Sequence, residues 1–365
     1  MLSKIFKVGL LGFGHIGHGV DKVLTELSKH QPVYLTKIFD VPSKKDEIGD
    51  RFVSSIDEII DDPEIDIVIE ALGGNTFPFE CIKQSLKAKK HVITCNKEVV
   101  SYHLKELLKL AHENEVYIQF EASCSSGVPL IRTLINYTKY DEVLSLQGVL
   151  SSSVNMILTK TQDDKLTIEE AIKLCREYGI LEKDYKRDLD GNDVAEKIAM
   201  LSSLAYKTPI DPSIVKVRGI SNLTDIIIKD INSKGYYLKY IAESKLVDNK
   251  VQIAVEPILV KKDNYLVAVK DDLNLVRIKL KNINIIQVAG KGSGALPAAS
   301  AIAGDVIRVI ENGGYIPNID LYNYEIVPYE DESTTYYVYQ DWKSGIVSKN
   351  KLNTIDKIFY ARIVK

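Results

Sequence analysis

Short apolar runs alternate with helix-length stretches over the first third of the chain: Phe6 to Leu11, Leu35 to Asp40, Ile65 to Glu70, His91 to Thr94 and Val116 to Phe120. Strands separated in this way need crossover connections, and crossovers build a parallel sheet with helices on its faces. The pattern predicts a doubly wound α/β domain. After Ser123 the texture changes to a Gly, Ser and Pro turn (Ser125 to Pro129), a helix through Leu130 to Tyr137 and a strand from Val143 to Leu150. A boundary is therefore expected near 125–130. Thr167 and Glu170 have capping-box spacing and open a helix to about Tyr178, and Asn192 is placed to cap another reaching about Tyr206. A polar loop, Gly179 to Gly191, lies between them.

From Tyr236 to Val288 apolar, β-branched segments follow one another: Tyr236 to Val247, Val251 to Val260, Leu266 to Val269 and Leu275 to Leu280. Their connections are too short for helices, so an antiparallel sheet is expected. Gly290 to Gly294 then precedes a helix of small residues, Pro297 to about Ile310, and the tail from about Gly314 is Tyr-rich and weakly periodic. The expected organisation is a doubly wound parallel sheet over 1–128, an α+β domain with a largely antiparallel sheet over 129–313, and a C-terminal extension over 314–365.

Composition narrows the classes of function. Lys plus Arg number 47 against 50 Asp plus Glu, a net charge of −3 with no block of like charges, so the chain lacks a polyanion-binding surface and nucleic acid is excluded as a partner. A hydrophobic content of 45% is ordinary for a globular chain, and the apolar run Val8 to Leu11 is too short for a signal-peptide core. Cys81, Cys95, Cys124 and Cys175 match no metal-binding spacing, and a chain this long needs no disulfides, so a reducing cytoplasm is expected. All the histidines lie at or before His112. Acid–base chemistry in the later two thirds falls to Lys, Asp, Glu, Tyr or Cys.

The most specific local pattern is Gly12-Phe13-Gly14-His15-Ile16-Gly17, between the first strand and a helix. There the first glycine makes the turn, the second lets a pyrophosphate approach and the third permits close helix packing, as in a Rossmann-type dinucleotide site. Asp40 ends the second strand, where a carboxylate accepts hydrogen bonds from an adenosine ribose and repels a 2′-phosphate. Lys44 and Lys45 follow at once and keep NADP in play beside NAD. Two more turns stand at carboxyl ends of strands, Ala71-Leu72-Gly73-Gly74 and Thr94-Cys95-Asn96-Lys97. Lys97 is a candidate for chemistry there, against the ordinary reading of a solvated lysine. Further on, Asp193 and Lys197 stand at i and i+4 of one helix, after Glu182 and Asp188 in the loop. Two readings stay open: a surface ion pair worth a few tenths of a kcal/mol, or carboxylates gathered around a working amine. The stripe Val194, Ile198, Leu201 and Leu204 puts Lys197 near a buried rim.

Taken in order, Val8 to Gly19, Ile67 to Gly74, Lys90 to Glu98, Glu121 to Pro129, Gly179 to Lys197 and Gly290 to Asp305 resemble homoserine dehydrogenase. The spacing of Glu182, Asp188, Asp193 and Lys197 is the specific part. The resemblance implies NAD(P)-dependent interconversion of L-homoserine and L-aspartate 4-semialdehyde, in threonine and methionine synthesis. It implies that Lys197 gives or takes the proton at the reacting oxygen with Lys97 assisting. Glu182 and Asp193 would hold the amino acid, Asp188 would orient the lysine side, and Ser153 and Gly179 would line the substrate. NAD or NADP would bind along Gly12 to Gly17, Asp40, Leu72 to Gly74, Asn96 and Lys97, with Gly294 near the nicotinamide and Asp40 favouring NAD.

The resemblance further implies a monovalent cation, sodium, held by Glu121 and the backbone carbonyls of Cys124, Ser126 and Val128. It implies a cytoplasmic homodimer, joined through the helix near 297–310 and the second-domain sheet, with a small-molecule substrate and no membrane partner. Where the family has a glycine- and threonine-rich turn, this chain reads Ser151-Ser152-Ser153-Val154-Asn155. That departure raises two alternatives: a dehydrogenase of another amino-acid aldehyde or alcohol, or a non-catalytic NAD-binding regulator. Longer family members end in a regulatory ACT domain. Here Tyr336 to Gln340 and Ile358 to Ile363 are read as strands of either a shortened ACT-like remnant or, preferably, a surface-packing extension.

Overall fold

The computed structural model describes residues 4–181, 185–311, 314, 316–329 and 335–364. The chain forms two compact units: Met1–Asn136 with Ser203–Pro209 and Ser293–Tyr322, and Tyr137–Ser202 with Ile210–Gly292 and Asn323–Lys365. Among the described residues no helix is long and apolar enough to cross a membrane.

The first unit carries β1 (Phe6–Leu11), α1 (His15–Leu27), β2 (Val33–Phe39), α2 (Lys45–Ile48), β3 (Phe52–Val53), α3 (Asp57–Ile60), β4 (Ile65–Glu70), α4 (Thr76–Lys87), β5 (His91–Thr94), α5 (Lys97–Glu113), β6 (Ile118–Gln119) and most of α6 (Leu130–Tyr137). Its strands run parallel in the order β3-β2-β1-β4-β5-β6. In this doubly wound order ligands collect at the carboxyl edge, where the strand order reverses beside β1. Helices on both faces explain why β1 and β4 are apolar almost without a break: Val8, Leu10, Leu11, Ile67 and Ile69 are completely buried. β6 is shorter than the Val116 to Phe120 run because the backbone turns into a 3-10 step over Glu121–Ser123.

The small-residue helix Ala295–Ile310 also belongs to this unit. It lies so close to α1 that a Cβ on Gly19 would stand 3.0 Å from the Ala295 carbonyl and 3.2 Å from the Ala299 methyl. Ala298 and Ala299 are thereby buried within their own chain. Within the chain, their smallness serves the approach of α1.

The second unit contains β7 (Val143–Val149), α7 (Ser152–Gln162), α8 (Ile168–Glu177), α9 (Lys186–Asp190), the start of α10 (Asn192–Tyr206), β8 (Lys216–Val217), α11 (Asp225–Ser233), β9 (Tyr236–Val247), β10 (Lys250–Lys261), β11 (Leu273–Leu280), β12 (Asn284–Lys291), β13 (Glu325–Pro328), β14 (Thr335–Gln340), β15 (Lys343–Ser348) and β16 (Phe359–Ile363). The sheet order is β12-β11-β7-β9-β10-β16-β14-β15, with β8 and β13 also on β10. It is mostly antiparallel; β10 pairs in parallel with β8, β13 and β16. Asp248 and Asn249, both at positive φ, close the β9–β10 hairpin with the two-residue turn whose twist suits paired strands.

One reading of the sequence changes here, and two others gain detail. Leu266 to Val269 is a 3-10 turn over Tyr265–Ala268, because the Asn264 side chain accepts the Leu266 N–H at 3.0 Å and pulls the backbone into a turn. Ser151 to Asn155 is a helix start: Ser151 caps α7, its hydroxyl accepting the Val154 N–H at 3.3 Å. The tail folds as part of the second sheet, β16 lying beside β10 with Arg362 opposite Ile258. α7 is fixed to that sheet by polar groups. The Gln162 amide exchanges two hydrogen bonds with the Leu238 backbone, and the buried Lys239 ammonium donates to Asn155 Oδ1 at 2.9 Å.

Candidate functional site

In the first unit the glycine turn divides its labour by position. Gly12 is held at φ +100°, and a Cβ there would meet the Ala71 carbonyl at 2.5 Å; one on Gly17 would lie 2.2 Å from the Gly12 carbonyl. Both contacts demand glycine. Gly14 differs, since nothing stands within 4 Å of where its Cβ would be. Gly14 and His15 are exposed at the N-terminus of α1, Ile16 is half-buried, and Phe13 is buried. The helix has no side-chain cap there. An N-terminus with no side-chain cap beside an exposed glycine is the arrangement that receives an anion such as a pyrophosphate.

Beside this turn the Phe13 N–H donates to Asp40, whose other oxygen accepts the Val41 N–H at 2.6 Å. The His18 ring packs on Phe13 with centroids 4.2 Å apart and bonds the Gly14 carbonyl. Glu47 accepts from both His18 and the Lys44 ammonium, the latter at 2.7 Å. The hydrogen bond to Glu47 raises the His18 pKa, and the bonds from Lys44 and then His18 lower that of Glu47.

The two further loops expected at this edge meet. Gly73 and Gly74 are exposed, Gly74 at positive φ, and Asn96 donates to the Gly74 carbonyl at 2.8 Å. Asn96 also caps α5, accepting the Val99 N–H at 3.1 Å, and so sets Lys97 as the first helical residue. Leu72 donates its N–H to Glu70 at 2.7 Å. Glu70 was not singled out from sequence, although a carboxylate directly after the apolar run Ile67 to Ile69 is a readable signal. Gly294 caps the helix Ala295–Ile310 at φ +114°.

Glu121, expected among the cation ligands, sits elsewhere in this unit. Its buried carboxylate accepts the Ile131 and Arg132 N–H groups, each at 2.8 Å, and the Arg132 guanidinium at 3.2 Å. It therefore anchors the start of α6 and is already neutralised by a guanidinium, so its side chain does not fit a cation. The Val128 carbonyl accepts the Leu130 N–H, while Cys124 donates its N–H to the Glu121 carbonyl and Ser126 is held at positive φ. Asp305 joins the cluster, accepting the Glu121 N–H at 3.0 Å, and burial with Glu121 nearby pushes its pKa up to about 7.

In the second unit the lysine is well placed. Lys197 Nζ lies 2.9 Å from Asp193 and 2.7 Å from the Leu150 carbonyl, its side chain only 12% exposed. That rules out the reading as an exposed surface pair. Leu150 directly precedes the Ser151 cap, so the amine is fixed to the start of α7. Ser153 Oγ donates to Asp188 at 3.0 Å and lies 3.1 Å from Ser151 Oγ. Ser152 Oγ donates to Asn274 at 2.6 Å, and a Cβ on Gly292 would collide with both residues. Gly179 ends α8 at φ +67°, and its N–H donates to the Arg176 carbonyl at 2.9 Å. Glu182 lies outside the described residues.

A six-stranded parallel sheet with an open glycine turn, and a second domain offering a carboxylate-paired lysine, define the class: an NAD(P)-dependent oxidoreductase. Residues 12–121 match the family model described as homoserine dehydrogenase, NAD binding domain, and 129–307 match that of homoserine dehydrogenase itself. The homoserine dehydrogenase of Bacillus subtilis is 33% identical over 319 residues, covering 85% of this chain and 74% of that one. The chain belongs to the homoserine dehydrogenase family, and its activity is that of a homoserine dehydrogenase, an oxidoreductase of amino-acid biosynthesis. The Thiobacillus denitrificans homoserine dehydrogenase structure shares the fold (TM-score 0.88, 23% identity, covering 100% of this chain and 99% of that one). A hyperthermophilic archaeal homoserine dehydrogenase in complex with NADPH aligns with TM-score 0.73 at 25% identity, covering 87% of this chain and 100% of that one.

Proposed function

We propose that Lys197 is the acid–base group of the reaction. The observation that carries this reading is the amine held by Asp193 and the Leu150 carbonyl at a nearly buried position. Two acceptors fix its direction, and burial keeps competing water away. The carboxylate of Asp193 favours the charged amine, the form that delivers a proton to the aldehyde oxygen during reduction; in oxidation the neutral amine takes the proton from the hydroxyl and is left as the ammonium beside Asp193. The nicotinamide cofactor, when bound, supplies or accepts the hydride. Lys97, set by Asn96 at the start of α5, assists as a second cation at the reacting end. Glu182 and Asp193 hold the substrate ammonium, Asp188 and Ser153 steady the start of α7, and Gly179 leaves room for the amino acid.

The test is a split in kinetic constants. Glu182→Gln is expected to raise KM for homoserine by about tenfold or more, the loss of one charge-assisted hydrogen bond, with KM for the cofactor unmoved. An unchanged homoserine KM would remove Glu182 from the substrate site.

We place the dinucleotide along Gly12 to Gly17, Asp40, Leu72 to Gly74, Asn96 and Gly294, and favour NAD. Two facts support the preference: Asp40 presents a carboxylate beside the glycine turn, and the nearby Lys44 and His18 are already engaged by Glu47. A 2′-phosphate would meet a negative charge and find its natural partners occupied. The kcat/KM for NAD is expected to exceed that for NADP by at least about tenfold, ~1.4 kcal/mol, and Asp40→Ser to narrow the gap. Equal constants in the native enzyme would overturn this preference. No step runs through a cation. Free thiols at all four cysteines support a cytoplasmic location. We further propose a homodimer through the second-unit sheet, whose edge strand β12 leaves Ile285 and the adjoining Ile283 exposed.

A further inference from the structure

Glu70 is the last residue of β4 and completely buried, opposite Leu11 of β1 and Thr94 of β5. Its carboxylate accepts the Leu72 N–H at 2.7 Å and the Thr94 hydroxyl, and the Asn96 side chain also reaches it. Thr94 Oγ1 in turn accepts the Asn96 N–H at 2.9 Å, and Asn96 bonds the Gly74 carbonyl and caps α5. None of these bonds belongs to a strand ladder. They set the shape of the loop after β4, the loop after β5 and the start of α5.

We propose that Glu70 is a positioning residue for the cofactor edge, its ionised carboxylate holding Leu72–Gly74 and Asn96–Lys97 in one arrangement. The inference rests on the proposed cofactor edge and deepens it. Every neighbour named donates to the carboxylate, so the ionised form satisfies all of them. A protonated Glu70 would turn one oxygen into a donor facing donors. Burial raises its pKa to about 7, against hydrogen bonds from Thr94, Leu72 and Asn96 that lower it. The titratable groups facing it are the thiols of Cys81 on α4 and of Cys95 after β5. Burial pushes both up, Cys81 to about 12, so they stay neutral where Glu70 titrates. The residue facing it from β1, Leu11, is apolar.

Because the folded-state pKa is raised, the holding form is present above pH about 7 and is lost as pH falls through it. The experiment is NADH binding by fluorescence to the full chain on both sides of that pH. The Kd is expected to be flat on the alkaline side and to rise on the acid side by up to about tenfold per pH unit, the limit for one proton. Glu70→Gln should bind about tenfold more weakly, ~1.4 kcal/mol, with no inflection. Thr94→Val removes a donor that favours the carboxylate and should move the inflection to higher pH, while Thr94→Ser restores it. If Glu70→Gln does not fold, the Thr94 pair carries the test. An inflection at the native pH in Thr94→Val, or native binding by Glu70→Gln, overturns the proposal. Absence of NADH binding by the native chain overturns the cofactor edge with it, whereas native binding that ignores Glu70 removes this inference alone.

Discussion

Lys197→Met is expected to lower kcat by about 10²–10⁴-fold, the usual worth of a positioned proton-transfer group, while the Kd for NADH stays at its native value. Methionine keeps most of the buried stem and deletes only the amine, so a loss of turnover cannot be put down to a cavity. Lys197→Arg should not rescue, since a guanidinium is charged at every relevant pH and neither gives nor takes the proton. Asp193→Asn should fall between, because it removes the charge that keeps the amine protonated but leaves the Leu150 carbonyl to orient it. Steady-state kinetics with homoserine in one direction and the semialdehyde in the other measure all three. Turnover by Lys197→Met within tenfold of native would remove the amine from the chemistry.

Much of this site is written locally in the sequence. β1, β4 and β5 coincide with the runs that announce them, because a strand covered on both faces keeps a near-continuous apolar stretch, here Val8 to Leu11, Ile67 to Ile69 and Val92 to Ile93. Thr167 and Glu170 form the reciprocal capping box their spacing announces. What escaped is non-local or masked by composition. Serines at 151–153 stand out in the sequence only as a departure from the family's turn; Ser151 is a cap and the next two are buried in the first turn of α7, held by Asn274 and Asp188 far along the chain. Leu266 to Val269 has strand composition, and only Asn264 before it marks the turn. The Glu121 carboxylate finds Arg132 through the start of α6, a pairing that no spacing rule connects with a helix cap. The small residues of Ala295–Ile310 do signal a close approach, but composition alone cannot say whether the partner is another subunit or α1.

The C-terminal tail is held by charge as well as by pairing, and removing one charge should loosen it. Arg362 of β16 donates to Glu256 at 2.5 Å and to Glu243, while Arg218 donates to the other oxygen of Glu256 at 2.5 Å. Arg362 and Glu243 are buried, and burial lowers the Arg362 pKa to about 10 and raises that of Glu256. Paired, these groups offset one another's desolvation; unpaired, a buried carboxylate does not. Arg362→Met should therefore cost about 3–5 kcal/mol, the range for breaking a buried pair, read as a fall of about 10 °C in Tm. Adding Glu243→Gln should recover much of the loss, since the stranded charge is gone. The pH dependence has a definite sign. Without Arg362 the two carboxylates titrate above their ordinary values, so the folded chain takes up protons before the unfolded one does. The deficit against native should thus shrink as pH falls and widen as it rises. Thermal melts of the single and double variants at several pH values check this, and a native Tm for Arg362→Met would show that strand pairing alone secures the tail.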